Sequence, residues 1–193
     1  MALSYSERRE FRQDGFTYLL DDNEKTAWIK HGHFGRGHRY RLPDHVIIGG
    51  ERYTIESVEI GAYNASRTIR HLVIPDSFTY VDEDCFCWLP NLRSVHIGKG
   101  VTYLRNFHFR GSPKLCCYVI DKDNPHLTMR DGIIMTKDGK EVLTETRNHT
   151  RLVIPEGVEK IAAIAFWYNK KLESITFPST LRKIGDNSFS NCP

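Results

Sequence analysis

Residues 172–192 read LESITFPSTLRKIGDNSFSNC, and the apolar residues of this stretch recur along the chain at a fixed spacing. Phe166 and Phe189 are 23 residues apart, and so are Phe86 and Phe109. A fixed period of about 20–29 residues with apolar residues in register is typical of one supersecondary unit stacked on copies of itself. The sequence therefore predicts a solenoid, an architecture that favours a binding surface over a catalytic pocket.

Each predicted unit has two short extended segments and a turn. In one unit, residues 72–74 form the first segment, Pro75 stops it, and residues 78–81 form the second. Period-2 alternation puts Leu72 and Ile74 on the inner face. Stacking places equivalent apolar residues in three inner ladders: Tyr63, Phe86, Phe109, Phe166 and Phe189; Val58, Val81, Leu104, Ile161 and Ile184; Ile74, Ile97, Ile120, Ile154 and Phe177.

The sequence predicts a mainly β protein with two parts. Residues 1–54 are predicted to form a β-rich cap, with hairpins over residues 16–30 and 46–55. A short helix is expected over residues 4–13, because Ser4 and Glu7 fit a capping box. Residues 55–193 are predicted to form the solenoid.

An insertion is expected near residues 121–149. The step from Ile120 to Ile154 is 34 residues, which is 23 plus 11. Within it, two apolar runs flank Asp138-Gly139, a dipeptide that favours a tight hairpin turn. We expect this hairpin to project from the stack or to lie along one edge of it.

Composition narrows the classes of function. The chain has 193 residues, a formal net charge of +3, and charges of both signs along its length, so we expect no nucleic-acid partner. No stretch approaches the roughly 20 apolar residues of a membrane helix, so we expect no membrane insertion. The first nine residues lack the apolar core of a signal peptide. The five cysteines are odd in number and are expected to be free and mostly buried.

The unit over residues 172–192 resembles the BspA-type leucine-rich repeat. Its pattern of Leu172, Ile175, Phe177-Pro178, Leu181, Ile184-Gly185, Ser188-Phe189 and Cys192 matches the consensus LxxVxIPxxVxxIGxxAFxxC. The units beginning at Ile69 and Leu152 also match. The resemblance implies a non-enzymatic interaction module, part of a surface or secreted adhesin-like protein that binds host or cell-surface proteins. Because no signal peptide is present in this chain, an intracellular protein is the alternative.

Two residue groups could carry chemistry, and for both we favour a simpler interpretation. His31, His33 and His38 have metal-ligand spacing, but they lie in a glycine-rich loop without a nearby acid or cysteine. Cys85 and His108 occupy equivalent positions one coil apart and could act as nucleophile and base. That ladder otherwise contains small residues, so we interpret Cys85 as a packed small residue. We expect no catalysis, no metal and no cofactor.

Outward-facing ladders are the predicted place of function, because Tyr and Arg are enriched at interfaces. The candidate interaction residues are His71, Val73, Ser94, His96, Tyr80, Tyr103, Arg151, Lys160, Thr176, Arg182 and Lys183. A glycan-binding module and a structural spacer are the alternatives to a protein-binding module. Since residues 191–193 stop where the next strand would begin, self-association through an open C-terminal end is also expected.

Overall fold

In a computed structural model of this protein, the described residues form seventeen strands. The model describes residues 7–35, 37–59, 61–63, 66–81, 84–104, 109, 111–146 and 149–193, and no α-helix occurs among them. The strands of the N-terminal part are β1 (Arg9–Gln13), β2 (Phe16–Asp21), β3 (Thr26–His31), β4 (Arg39–Arg41), β5 (His45–Ile48) and β6 (Glu51–Val58). The next are β7 (His71–Ile74), β8 (Tyr80–Val81), β9 (Ser94–Ile97), β10 (Cys117–Ile120), β11 (Leu127–Arg130), β12 (Ile133–Thr136) and β13 (Glu141–Glu145). The last are β14 (Arg151–Val153), β15 (Lys160–Ile161), β16 (Ser174–Thr176) and β17 (Lys183–Ile184).

The N-terminal strands form a sheet in the order β1-β2-β3-β6-β5. Both predicted hairpins are confirmed: β2 pairs antiparallel with β3, and β5 pairs antiparallel with β6. Gly49 and Gly50 have φ values of 60° and 86°, as a primed two-residue turn requires. β6 also pairs in parallel with β8, so this sheet continues into the solenoid across residues 54 and 55. The division of the chain at that point stays a prediction.

The predicted helix over residues 4–13 is wrong for its described part. Residues 9–13 form β1, which pairs along its whole length with β2. The capping box is a local signal worth about 1 kcal/mol, and a helix of fewer than three turns is marginal alone. Pairing with β2 outweighs it. Residues 4–6 lie outside the described residues.

The solenoid contains two rows of parallel strands. The first strands of successive coils form the sheet β10-β9-β7-β4, in which Ile74, Ile97 and Ile120 are register partners. Second strands pair in the same way, with Val58 opposite Val81 and Ile161 opposite Ile184. Parts of two of the three predicted ladders are thereby placed in register.

Aromatic rings form the third ladder. The ring centroids of Tyr63 and Phe86 are 5.8 Å apart, and those of Phe86 and Phe109 are 5.6 Å apart. Phe166 stacks on Phe189 at 5.1 Å. Phe86 and Phe166 are fully buried, as predicted. Because a single coil is too thin to enclose a ring, the neighbouring coils supply the core.

The insertion adds strands to the second row and interrupts the first. β11, β12 and β13 pair antiparallel, and Met135, Val142 and Leu143 are buried. β13 then pairs in parallel with β15. Among the described strands no ladder joins β10 to β14, which pairs only with β16. The predicted ladder from Ile120 to Ile154 is therefore broken, because the hairpin lies within the stack between the two coils.

Each coil turns back through a residue with positive φ. Trp88, Gly111, Tyr168 and Asn191 occupy equivalent positions with φ of 60°, 75°, 60° and 61°. Glycine and asparagine adopt this region readily, whereas a bulky side chain there is strained. Trp88 contacts the glycine of the next coil, since a Cβ built on Gly111 would lie 2.7 Å from Trp88 Cε3.

Candidate interaction surface

The outward side chains of β4, β7, β9 and β10 form one continuous surface, which we call the first-strand face. One row across it contains Arg39, His71, Ser94 and Cys117. The second row contains Arg41, Val73, His96 and Val119. Because neighbouring strands lie about 4.8 Å apart, residues that are distant in sequence become direct neighbours here.

Four exposed arginines lie within the strands of the first-strand face or just before them. Arg39 and Arg41 are exposed on β4. Arg70 and Arg93 are also exposed, at equivalent positions just before β7 and β9. The backbone N–H of Arg93 donates to the carbonyl of Arg70 at 2.7 Å, which places the two residues directly beside each other. The four strands of this sheet contain no aspartate and no glutamate.

Two predicted residues of this face are held in place or covered. His71 Nδ1 and Ser94 Oγ are 2.7 Å apart and form a hydrogen bond between neighbouring coils. Val73 was expected to be an outward contact residue, but it is only 6% exposed. It lies between Arg41 and His96 in its row, and these longer side chains flank it on both sides. Val73 therefore contributes packing, and its exposed neighbours are the residues available to a ligand.

A groove opens at the β10 end of the face. It has a volume of about 280 Å³ and lies between β10 and β11. Its apolar part includes Val119 and Met129, which are 45% and 38% exposed. Asp121, Lys122 and Lys137 also line it. The groove results from the insertion, because β11 leaves the stack where the next first strand would otherwise pair with β10.

The second-strand face is the outward surface along β8, β13, β15 and β17. Its lysines are largely matched by carboxylates: Lys140 Nζ lies 3.0 Å from Glu159, and Lys160 Nζ lies 2.7 Å from Glu141. The hydrogen bond that Lys140 donates to Glu159 raises the pKa of Lys140. Such exposed pairs contribute little to stability, but they lower the net charge of this face.

The predicted interaction residues do not form a single site. His71, Ser94 and His96 lie on the first-strand face. Arg151 and Thr176 lie on β14 and β16, beyond the insertion. The remaining predicted residues lie on the second-strand face or beside it: Tyr80, Tyr103, Lys160, Arg182 and Lys183. Which group binds a ligand stays a prediction.

Sequence reasoning missed the arginines of the first-strand face. β4 lies within residues 1–54, which are predicted to form the cap, and not in the part of the chain predicted to contain the first row of strands. Its step to His71 is 32 residues, so the 23-residue period does not reveal the pairing. Arg70 and Arg93 do keep that period, and this repeated charge was the available signal.

The histidine loop does not assemble around a common point. The ring of His33 packs on Phe16 with centroids 4.7 Å apart, while His38 Nδ1 lies 2.9 Å from the carbonyl of Thr68. No group of three or more side chains suited to hold a metal ion occurs in the described ranges. The absence of a metal in solution stays a prediction.

The cysteines are free, as predicted, but fewer are buried than expected. Cys85 and Cys87 are buried, whereas Cys116 and Cys117 are exposed. Burial raises the pKa of the partly covered Cys192 thiol. Cys117 begins β10, which is an edge strand of its sheet, and Cys116 lies just before it. The partner proposed for Cys85, His108, lies outside the described residues.

The comparison with protein families identifies the repeat. The family model for the BspA type leucine rich repeat region matches six copies, over residues 52–129 and 136–193. The chain belongs to the BspA-type leucine-rich repeat family. Repeats of this family form an interaction fold, and the fold predicted from the 23-residue period is confirmed. A search of curated proteins finds no match to this chain.

Solved leucine-rich repeat structures share the fold. A protein from Bacteroides ovatus is 16% identical with a TM-score of 0.55, and the alignment covers 94% of this chain and 57% of that one. One from T. pallidum is 14% identical with a TM-score of 0.54, covering 92% and 86%. A third, from Eubacterium ventriosum, is 13% identical with a TM-score of 0.50, covering 92% and 62%. The BspA-type chain thus spans less than two thirds of two of these proteins.

In the part of the chain that the structure describes, no helix could cross a lipid bilayer.

Proposed function

We propose that this chain is a non-enzymatic interaction module whose first-strand face binds a protein partner. The observation that supports this most is the continuity of that face across successive coils, with exposed arginines around it. Arginine is enriched at protein interfaces and at their energetic hot spots. Membership of a family of interaction repeats supports the same function.

We also propose that the module belongs to a surface or secreted adhesin-like protein that binds host or cell-surface proteins. The family resemblance supports this location. Protease treatment of intact source cells tests it. Loss of the protein from intact cells, with a cytosolic marker retained, is the expected result. Full protection of the protein on intact cells, with cleavage only after lysis, would point to the intracellular alternative.

A pull-down with paired variants tests the binding face. The wild-type chain is immobilised and exposed to extracellular-matrix proteins beside Ser94→Trp on the first-strand face and Thr102→Trp near the second-strand face. Both residues lie on the surface, so thermal melting should show that both variants fold. We expect Ser94→Trp to lose the retained protein and Thr102→Trp to keep it. Loss only in Thr102→Trp would move the site to the second-strand face.

A glycan-binding module is the second candidate, and Trp88 is the observation that favours it. Its indole is 58% exposed and contacts Gly111. It also occupies a strained backbone position where the next coil has glycine. An exposed aromatic face can stack on a sugar ring. A glycan array read with wild type and Trp88→Ala tests this, and signal lost only in the variant would support it. If no protein and no glycan is retained, the spacer alternative is favoured.

Self-association remains a separate proposal. Phe177 and Ile184 in the last described coil are 42% and 47% exposed. Burying such surface contributes about 25 cal/mol per Å². Light scattering at rising concentration should report dimers, and Phe177→Ser should reduce them. A constant monomer mass for wild type would contradict the proposal.

A further inference from the structure

We propose that the first-strand face binds an acidic, extended segment of the partner protein. Its carboxylates would lie on the arginines before and within the face, and an apolar side chain would enter the groove beside β10. This inference rests on the proposed function, since it names the chemistry of the ligand for the same face.

The arginines of this face lack counter-charges of their own. Among the described residues, no carboxylate lies within ion-pair distance of Arg39, Arg70 or Arg93, whereas the lysines at Lys140 and Lys160 are paired. Asp44 lies near Arg41, but its carboxylate contacts His45 at 2.5 Å, and this hydrogen bond is the main reason that its pKa is lowered. Lys140 and Lys160 on the second-strand face therefore have carboxylate partners, whereas Arg39, Arg70 and Arg93 have none among the described residues.

Arg70 and Arg93 lie directly beside each other at equivalent positions of successive coils. They are joined by a backbone hydrogen bond of 2.7 Å, so the two like charges start from neighbouring strands about 4.8 Å apart. Like charges at directly neighbouring sheet positions are destabilising. A bound carboxylate would relieve this repulsion, and a guanidinium group binds a carboxylate through two parallel hydrogen bonds.

The apolar end of the face favours a protein segment over a uniform polyanion. Beyond the arginines, the rows end in Cys117 and Val119, and Val119 continues into the groove with Met129. A nucleic acid or a sulfated glycan would place charged groups over this apolar stretch. A protein segment can instead place carboxylates over the arginines and an apolar side chain over Val119 and Met129.

Fluorescence anisotropy with a labelled peptide tests the proposal. The probe is a short Glu/Gly peptide ending in Leu, and the competitors are single-stranded DNA and a heparin fragment of equal charge. We expect the peptide to bind more tightly than either competitor, and more weakly as salt rises. Tighter binding of DNA or heparin would overturn the protein-segment assignment.

Matched variants separate this face from net charge. Arg70→Gln with Arg93→Gln should weaken peptide binding about tenfold or more, a loss of about 1.4 kcal/mol or more, because both guanidinium groups lose their charge-assisted hydrogen bonds to a carboxylate. Lys160→Gln with Lys183→Gln removes the same charge from the second-strand face and should leave binding nearly unchanged. Equal losses in both double variants would show attraction by net charge only and overturn the proposal.

A cycle of substitutions tests the groove. Val119→Ser should weaken the Leu-ending peptide but leave a Gly-ending peptide unaffected, and equal effects on both would remove the groove from the proposed site. The pull-down distinguishes a wrong ligand class from a wrong binding face. If Ser94→Trp abolishes capture of a matrix protein while the arginine double variant does not, the face is correct and the acidic ligand is wrong. If neither variant changes capture, the proposed function itself fails.

Discussion

At the residue scale, each coil contributes one aromatic ring to the buried ladder, and we expect the stability of the coil to depend strongly on that ring. Phe166 is fully buried and stacks on Phe189 with centroids 5.1 Å apart. We predict that Phe166→Ala lowers the free energy of unfolding by about 3–5 kcal/mol, because a ring-sized cavity cannot close between rigid coils. Urea denaturation measures this. Phe177→Ala is the control, since Phe177 is already 42% exposed and should cost far less. Equal losses would contradict the register of the ladder.

The hydrogen bonds of Asp22 make the stability of the N-terminal sheet depend on pH in the acid range. Its carboxylate accepts two hydrogen bonds of 2.9 Å from Arg9 and one of 2.6 Å from the hydroxyl of Tyr53. These partners, Arg9 first, hold the pKa of Asp22 well below its usual value. A lowered folded-state pKa stabilises the protein above the unfolded pKa of about 3.9, and this stabilisation is lost as pH falls further.

We therefore predict a difference in melting temperature between wild type and Asp22→Asn that is largest near neutral pH and shrinks below about pH 4. Thermal melts across that range measure it. Asp123→Asn is the matched control, because Asp123 is exposed and, among the described residues, its carboxylate pairs with Lys122 alone, at 3.2 Å. A gap between wild type and Asp22→Asn that widens on acidification would contradict the assignment.

At the element scale, one buried side chain anchors the insertion to the stack. Asn124 donates to the carbonyls of Gly98 and Val101 at 3.0 Å each. It accepts from the backbone N–H groups of His126 and Leu127 at 2.8 Å each. These bonds fix the start of β11 and thus one wall of the groove.

We predict that Asn124→Ala lowers the free energy of unfolding by about 2–4 kcal/mol, because it leaves buried backbone groups unpaired. Denaturant unfolding gives the energy, and hydrogen exchange at residues 127–130 should become faster. Asn91→Ala is the control. Asn91 is only partly buried; its side chain donates a hydrogen bond to the carbonyl of Arg67 and accepts one from Lys114. A loss no larger than that of the control would show that Asn124 does not hold β11.

Elements that follow the 23-residue period or a local turn motif could be predicted from the sequence. Elements whose conformation depends on pairing with a strand distant in sequence could not. The hairpins at Gly49-Gly50 and Asp138-Gly139 follow from local turn chemistry. The strand over residues 9–13 depends on β2, so its local sequence misleads. β4 joins the first row only because the chain between residues 42 and 71 folds back, and a 23-residue period cannot show that pairing. The site was missed for the same reason, since half of its arginines lie on β4.

At the scale of the whole molecule, stacking produces two outward surfaces of different character. On the second-strand face Lys140 and Lys160 pair with carboxylates of the chain, whereas Arg39, Arg70 and Arg93 of the first-strand face have no such partner among the described residues. The insertion sets the limit of that face by separating β10 from β14 and opening the groove. The proposed interaction site is thus a product of coil geometry and of one interruption in it.

Hydroxyl-radical footprinting of the chain, alone and with a captured matrix protein, shows which face the partner covers. We predict that the partner protects His71 and Cys117, which lie on either side of Ser94 in one row across the face. Oxidation of Tyr80 and of the exposed Trp88 should stay unchanged. Protection of Tyr80 or Trp88 with full oxidation of His71 and Cys117 would contradict this prediction.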